Sequence, residues 1–216
     1  MIRTTIFFYL LAGLVSCSSA NDHEQDQRRP SNIIFLIGDG MGLSAVSTSY
    51  YFTEGPSPFD RFHEIGLINT SSATHKITDS AASGTAMASG KKTYNGAIGV
   101  DTTRMEIRNI TEVVSAMGWN TGVVSTSSVT HATPASFYAH VEQRGMEEEI
   151  ALQLIRSEID FFAGGGIKFF TKRSDKKNLL TLAEENGFSV DTIRLDMHHP
   201  EPDKKFGFLL APGGMP

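Results

Sequence analysis

The chain has 216 residues and only one cysteine, Cys17, which lies near its start. The rest of the chain therefore has no intrachain disulfide and no cysteine-built zinc site. Tryptophan also occurs once, and aromatic residues make up 9%. No basic block is present, and 19 Lys and Arg against 24 Asp and Glu give a formal net charge of −5. That balance argues against nucleic acid as a partner. No apolar run is long enough to span a bilayer, and the longest at the N-terminus, Ile6 to Val15, has ten residues. What remains, 40% hydrophobic and 20% charged, is the composition of a globular protein with a core.

The first residues, MIRTTIFFYLLAGLVSCSSA, read as an export leader, with Arg3 as the positive flank of the short apolar run. Leu14-Val15-Ser16-Cys17 has the form of a bacterial lipobox, in which the cysteine is acylated. Ordinary cleavage before Asn21, with Ser18 and Ala20 as the small residues, is the alternative. Both readings export the protein, to the periplasm or to a membrane as a lipoprotein anchored at Cys17. Residues 18–31 are polar and lack aliphatic side chains other than Ala20. They read as a tether spanning roughly 20 Å as a flexible coil.

From Asn32 onward, strand-like and helix-like stretches alternate, which predicts an α/β fold with a mostly parallel sheet flanked by helices on both faces. Strands are expected at Ile33–Ile37, Ile65–Asn69, Thr121–Ser125, Phe161–Phe162 and Phe206–Leu210. Helices are expected at Leu43–Phe52, Asp79–Ser89, Asn109–Met117, Pro134–Gln143, Met146–Ile155 and Lys176–Asn186, several of them stopped by glycine. Asn95-Gly96 signals a turn. The stretch ends soon after a core-like strand, which leaves open a complete small domain or the N-terminal portion of a larger one.

Three stretches could carry chemistry. Gly38-Asp39-Gly40-Met41-Gly42 follows the first expected strand, where α/β sheets place their ligands. The spacing is not that of a dinucleotide loop, and an anionic Asp39 suits a divalent cation better than a pyrophosphate. A turn-forming aspartate is the alternative. The second stretch, Thr78-Asp79-Ser80-Ala81-Ala82-Ser83-Gly84, puts Ser80 at a helix start, where the dipole and free N–H groups stabilise negative charge. Asp79 or Ser80 as a plain N-cap is the alternative reading. The third stretch runs from Ser128 to Arg144. Thr133-Pro134 fits an N-cap followed by N1, His131 precedes that helix, and Arg144 offers a planar fork suited to two phosphate oxygens. An ion pair of Arg144 with Glu147, Glu148 or Glu149 is the plainer reading. A P-loop and a G-x-S-x-G esterase elbow are both excluded by spacing.

NIIFLIGDGMG at 32–42, TDSAASGTAMASGKKTYNGAIGVD at 78–101 and SVTHATPASFYAHVEQR at 128–144 together resemble the alkaline phosphatase family, in order and spacing. The resemblance extends to LAPGGMP at the end and covers most of 32–216. It implies a metal-dependent phosphate monoester hydrolase that works through a phosphoserine, with Zn2+ (two ions in the complete site) and Mg2+. It implies that Ser80 is the nucleophile and a zinc ligand and that Asp39 bridges zinc and magnesium. It further implies that Thr133 is a magnesium ligand and that Arg144 clamps the substrate phosphate. Asp79 and His131 are implied as supporting residues, Asp79 by orienting Arg144. Complete members are often homodimers.

The family's remaining ligands, histidines and carboxylates from its C-terminal half, have no counterpart after residue 144. His198-His199 reads as a solvated loop pair. The expectation is an N-terminal portion of the catalytic domain, inactive or nearly so on its own and prone to associate through apolar surface. A non-enzymatic exported lipoprotein that retains a phosphate-binding site is the alternative of a different class. A sulfatase or phosphodiesterase relative is disfavoured by the serine in TDSAAS.

Overall fold

The computed structural model describes residues 32–195 and 204–216. The leader, Cys17 and the tether, and likewise His198-His199, lie outside the described residues. The chain divides into two compact units, Met1–Gly38 and Asp39–Pro216.

In the first unit, the expected strand Ile33–Ile37 is not formed. These residues are irregular, and Ile33, Ile34, Phe35 and Leu36 are largely exposed. A continuous apolar run shows a demand for burial on both faces. It becomes a strand only inside a hydrogen-bonded ladder with cover above and below. The expected strand Ile65–Asn69, in the second unit, fails for the same reason, and Leu67 there is fully exposed.

The second unit opens with helix α1, Leu43–Phe52, which buries no residue, followed by a 3-10 turn at Pro58–Arg61. Helix α2, Ser80–Ser89, is built of small residues and buries Ala81, Ala82, Gly84, Thr85 and Ala88. Its close packing depends on Gly84, where a Cβ would lie 2.6 Å from Ser136 Oγ. Gly90, at φ 72°, closes the helix in the left-handed conformation that glycine adopts without strain. Helix α3, Ile110–Ser115, begins in a capping box: Asn109 accepts from Glu112 N–H, and Glu112 reaches back to Asn109 N–H.

The sheet then follows. Strand β1 is Gly122–Ser128 and helix α4 is Ala132–Ala135. Helix α5, Glu147–Arg156, buries Ile150, Ala151, Leu154 and Ile155. Strand β2 is Phe161–Gly165 and helix α6 is Lys168–Thr171. Helix α7 is Leu179–Glu185, strand β3 is Phe188–Asp191 and strand β4 is Lys205–Leu209. The four strands lie in the order β1-β2-β4-β3, and every pairing is parallel. This is the expected α/β architecture of a parallel sheet with flanking helices.

The core centres on Phe162 of β2. Its ring stacks on Phe170 at a centroid distance of 6.4 Å and tilts against Phe188 at 5.2 Å. Phe162 pairs in register with Gly207 of β4. Only glycine fits there, since a Cβ would come within 2.2 Å of the Phe162 ring. Residues 211–215 fold back over the sheet end: Gly166 and Ile167 N–H donate to Ala211 O, and Met215 N–H donates to Thr126 O.

Candidate active site

Asp39 lies in a turn immediately before α1, not at the end of a formed strand. Gly40, at φ 71°, makes that turn possible. Both carboxylate oxygens are engaged. Ser80 Oγ donates to Asp39 Oδ1 at 3.2 Å, and Thr133 Oγ1 donates to Asp39 Oδ2 at 2.8 Å. Ser80 and Thr133, 41 and 94 positions from Asp39 in sequence, thus meet at its one carboxylate.

Ser80 is the first residue of α2, and Asp79 is its N-cap. The capping alternative therefore belongs to Asp79 and leaves the Ser80 hydroxyl free for Asp39. Thr133 is not the N-cap expected from Thr133-Pro134. The cap position belongs to His131, which makes no side-chain capping bond, and Thr133 lies inside α4. Its hydroxyl is thereby released from capping and turned to Asp39. Helix α4 ends at Ala135, well short of the expected Gln143. The segment beyond it turns back through tight turns instead of continuing as helix.

Asp79 holds several partners at once. Oδ1 accepts from Ala82 N–H at 3.0 Å. Oδ2 accepts from Gly96 N–H at 3.1 Å and from Arg144 Nη1 at 3.2 Å. Burial raises the Asp79 pKa, but the two backbone N–H donors and the Arg144 guanidinium outweigh it, and the carboxyl sits below its ordinary 3.8. Arg144 Nη2 lies 3.1 Å from His131 Nε2. Arginine only donates, so this His131 nitrogen is the acceptor. The side chain of Arg144 stays one-third exposed, with N–H groups left over for an anion.

The plainer partners of Arg144 are engaged elsewhere. Glu147 accepts from Thr130 Oγ1 at 2.7 Å and Ser128 Oγ at 3.3 Å. Glu148 accepts from Ser174 Oγ at 2.6 Å, and Glu149 from Gln153 Nε2 at 3.1 Å. Gly96 is the site residue whose role sequence reasoning left unassigned. Asn95-Gly96 was legible as a turn, and only the fold shows what that turn touches.

The donors around Asp39 are all oxygen, from one carboxylate and two hydroxyls, which is the chemistry of a hard cation such as Mg2+. Zinc sites draw three or four protein ligands and favour nitrogen or sulfur. Among the described residues, no group of three or more His, Cys, Asp and Glu comes together, so the residues present do not fit a zinc ion.

The alkaline phosphatase family model matches residues 30–214. Alkaline phosphatase 3 of Bacillus subtilis is 34% identical over 232 residues, covering 100% of this chain and 49% of its own length. The Escherichia coli alkaline phosphatase is 32% identical over 222 residues, covering 86% of this chain and 47% of its own. Among solved structures, the alkaline phosphatase of the Antarctic bacterium TAB5 superposes with a TM-score of 0.80 at 49% identity, covering 82% of this chain and 52% of that one. A mutant of that enzyme carries magnesium in its M3 site. The chain spans about half the length of the curated relatives it matches. On the match across residues 30–214 and these relatives, it belongs to the alkaline phosphatase family.

Proposed function

We propose that this chain carries the nucleophile and the phosphate clamp of a phosphate monoester hydrolase. The carrying observation is that Ser80 opens α2 with its hydroxyl on Asp39, while the residue before it, Asp79, holds Arg144.

In this reading Ser80 Oγ attacks phosphorus in line with the ester oxygen, forming a phosphoserine as the P–O bond to the leaving alcohol breaks. Water then cleaves the phosphoserine and returns the serine. The Ser80 proton already lies along a hydrogen bond to Asp39 Oδ1. The start of α2 offers partial positive charge to the developing anion, worth about 0.3–1 kcal/mol in exposed settings. The free face of the Arg144 guanidinium takes two phosphate oxygens, and His131 and Asp79 fix its plane from two sides. Mg2+, held by Asp39 and Thr133 with Ser80 beside them, supplies charge that offsets the phosphate when bound.

The wider organisation belongs to the same proposal. Residues 1–17 form an export leader with Cys17 as the lipid attachment point, residues 18–31 a tether, and residues 32–216 part of a catalytic domain. On its own the chain turns over substrate weakly or not at all, because the donor set at Asp39 is short of a two-zinc site.

Titration with inorganic phosphate, followed at the amides of residues 80–82, tests the reading. Saturable shifts are expected, and Arg144→Ala is expected to weaken binding about tenfold or more, since a hydrogen bond to a charged group contributes about 1.5–3 kcal/mol. A wild-type chain without saturable shifts overturns the clamp. Vigorous hydrolysis of p-nitrophenyl phosphate that survives Ser80→Ala overturns the nucleophile.

A further inference from the structure

We infer that Gly96 is a positioning residue that sets the plane of the Arg144 guanidinium through a closed ring of hydrogen bonds; the consequence for phosphate rests on the proposed function. Gly96 N–H donates to Asp79 Oδ2 at 3.1 Å. The same oxygen accepts from Arg144 Nη1 at 3.2 Å. Arg144 backbone N–H donates to Gly96 O at 2.7 Å. Both ends of Arg144 are thus tied to Gly96, the main chain directly and the guanidinium through the Asp79 carboxylate.

The turn that carries Gly96 is braced on both sides. Asn95 Nδ2 donates to Ile77 O at 3.1 Å, two residues before Asp79. Tyr94 Oη donates to Glu142 O at 3.0 Å, two residues before Arg144. Ile98 and Val141 exchange backbone bonds of 3.0 and 2.8 Å. The turn therefore splints the start of α2 to the Arg144 segment, although 48 residues separate Tyr94 from Glu142.

The position requires glycine for backbone reasons. Gly96 has φ 92°, a region L side chains rarely adopt. A Cβ there would also come within 2.7 Å of Gln143 Oε1, the far end of a flexible side chain. Strain, more than lack of space, is what a substitution meets. Asparagine tolerates positive φ far better than alanine, so it serves as the conservative variant.

The test follows the Arg144 side-chain N–H signals by NMR alongside inorganic phosphate titration. In the wild type, slow rotation of the Arg144 Nη groups is expected. Gly96→Ala is expected to release that rotation and to weaken phosphate binding about tenfold, while amide protection in β2 is retained. Gly96→Asn is expected to restore most of both. If Gly96→Ala does not fold, Tyr94→Phe, which removes one brace, must loosen the Arg144 signals, and Gly96→Asn must keep them. Immobile Arg144 signals in Gly96→Ala, or equal loosening in the Ala and Asn variants, overturn the inference. A wild type whose Arg144 is immobile and freed by Gly96→Ala, but which binds no phosphate, keeps the ring and discards the phosphate reading.

Discussion

Helices α1 and α5 have ten residues each and opposite fates. Helix α1, LSAVSTSYYF, has no charged residue and buries nothing. Helix α5, EEEIALQLIR, opens with three glutamates and buries Ile150, Ala151, Leu154 and Ile155. The difference lies in arrangement. The buried residues of α5, Ile150, Ala151, Leu154 and Ile155, fall at i, i+1, i+4 and i+5, so they form one stripe. In α1 the apolar residues fall on more than one side, with Ala45 and Phe52 away from Leu43, Val46 and Tyr50, and none of them is buried. Apolar content alone does not say where the core is. The three acidic residues also complement the positive end of α5, which α1 has no means of doing.

The sharpest way to break this comparison is a matched pair of truncations. Leu154→Ala is expected to cost about 2–5 kcal/mol, as buried leucines do, whereas Tyr51→Ala is expected to stay within about 0.5 kcal/mol. Urea unfolding reads both, and equal losses would show that α1 is packed after all. Overpacking tests the same sheet from the other side. Gly207→Ala pushes a methyl group toward Phe162 and is expected to cost about 1–3 kcal/mol in the same measurement. Next comes the cap of α2. Asp79→Ala removes the bond to Ala82 N–H and is expected to cost about 1 kcal/mol of stability, with a larger loss of phosphate affinity because Arg144 loses its carboxylate.

The smallest expected effects are in pH. The Asp79 pKa is lower in the folded chain than its ordinary 3.8, so the folded state favours the ionised form. Its contribution is complete above that value and is lost as pH falls through the lower folded one. Thermal melts from pH 5 to 2 are expected to show a drop that Asp79→Asn flattens. Asp175 is lowered to about 2, chiefly by the Arg173 side chain. It runs in the same direction, but it is exposed and screened, so Asp175→Asn is expected to shift the melt less.

Sequence reasoning found the elements whose signals are local. Asp79 before a run of small residues and Gly90 after it mark α2, and the Asn109–Met117 stretch stopped by Gly118 marks α3. The three motif blocks named Asp39, Ser80, Thr133 and Arg144, and the fold gathers the first three at one carboxylate. Signals that depend on distant partners were not legible. Ile33–Ile37 and Ile65–Asn69 have strand character without a ladder. Strand β3, Phe188–Asp191, has only two apolar residues and exists because β4 lies beside it. Thr133-Pro134 has the chemistry of a cap, but the turn before it places His131 there. Gly96 could be read as a bend, while its two bonding partners are brought to it only by the folded chain.

The strand order has a consequence for synthesis. Strand β4 lies between β2 and β3, yet it is the last of the four to be translated. Until residues 205–209 leave the ribosome, β3 has no neighbour in the sheet and the Phe162 ring lacks the Gly207 floor beneath it. Non-local parallel pairing of this kind is slow to form. A nascent chain in that state stays loose until β4 arrives and is exposed meanwhile to holding chaperones.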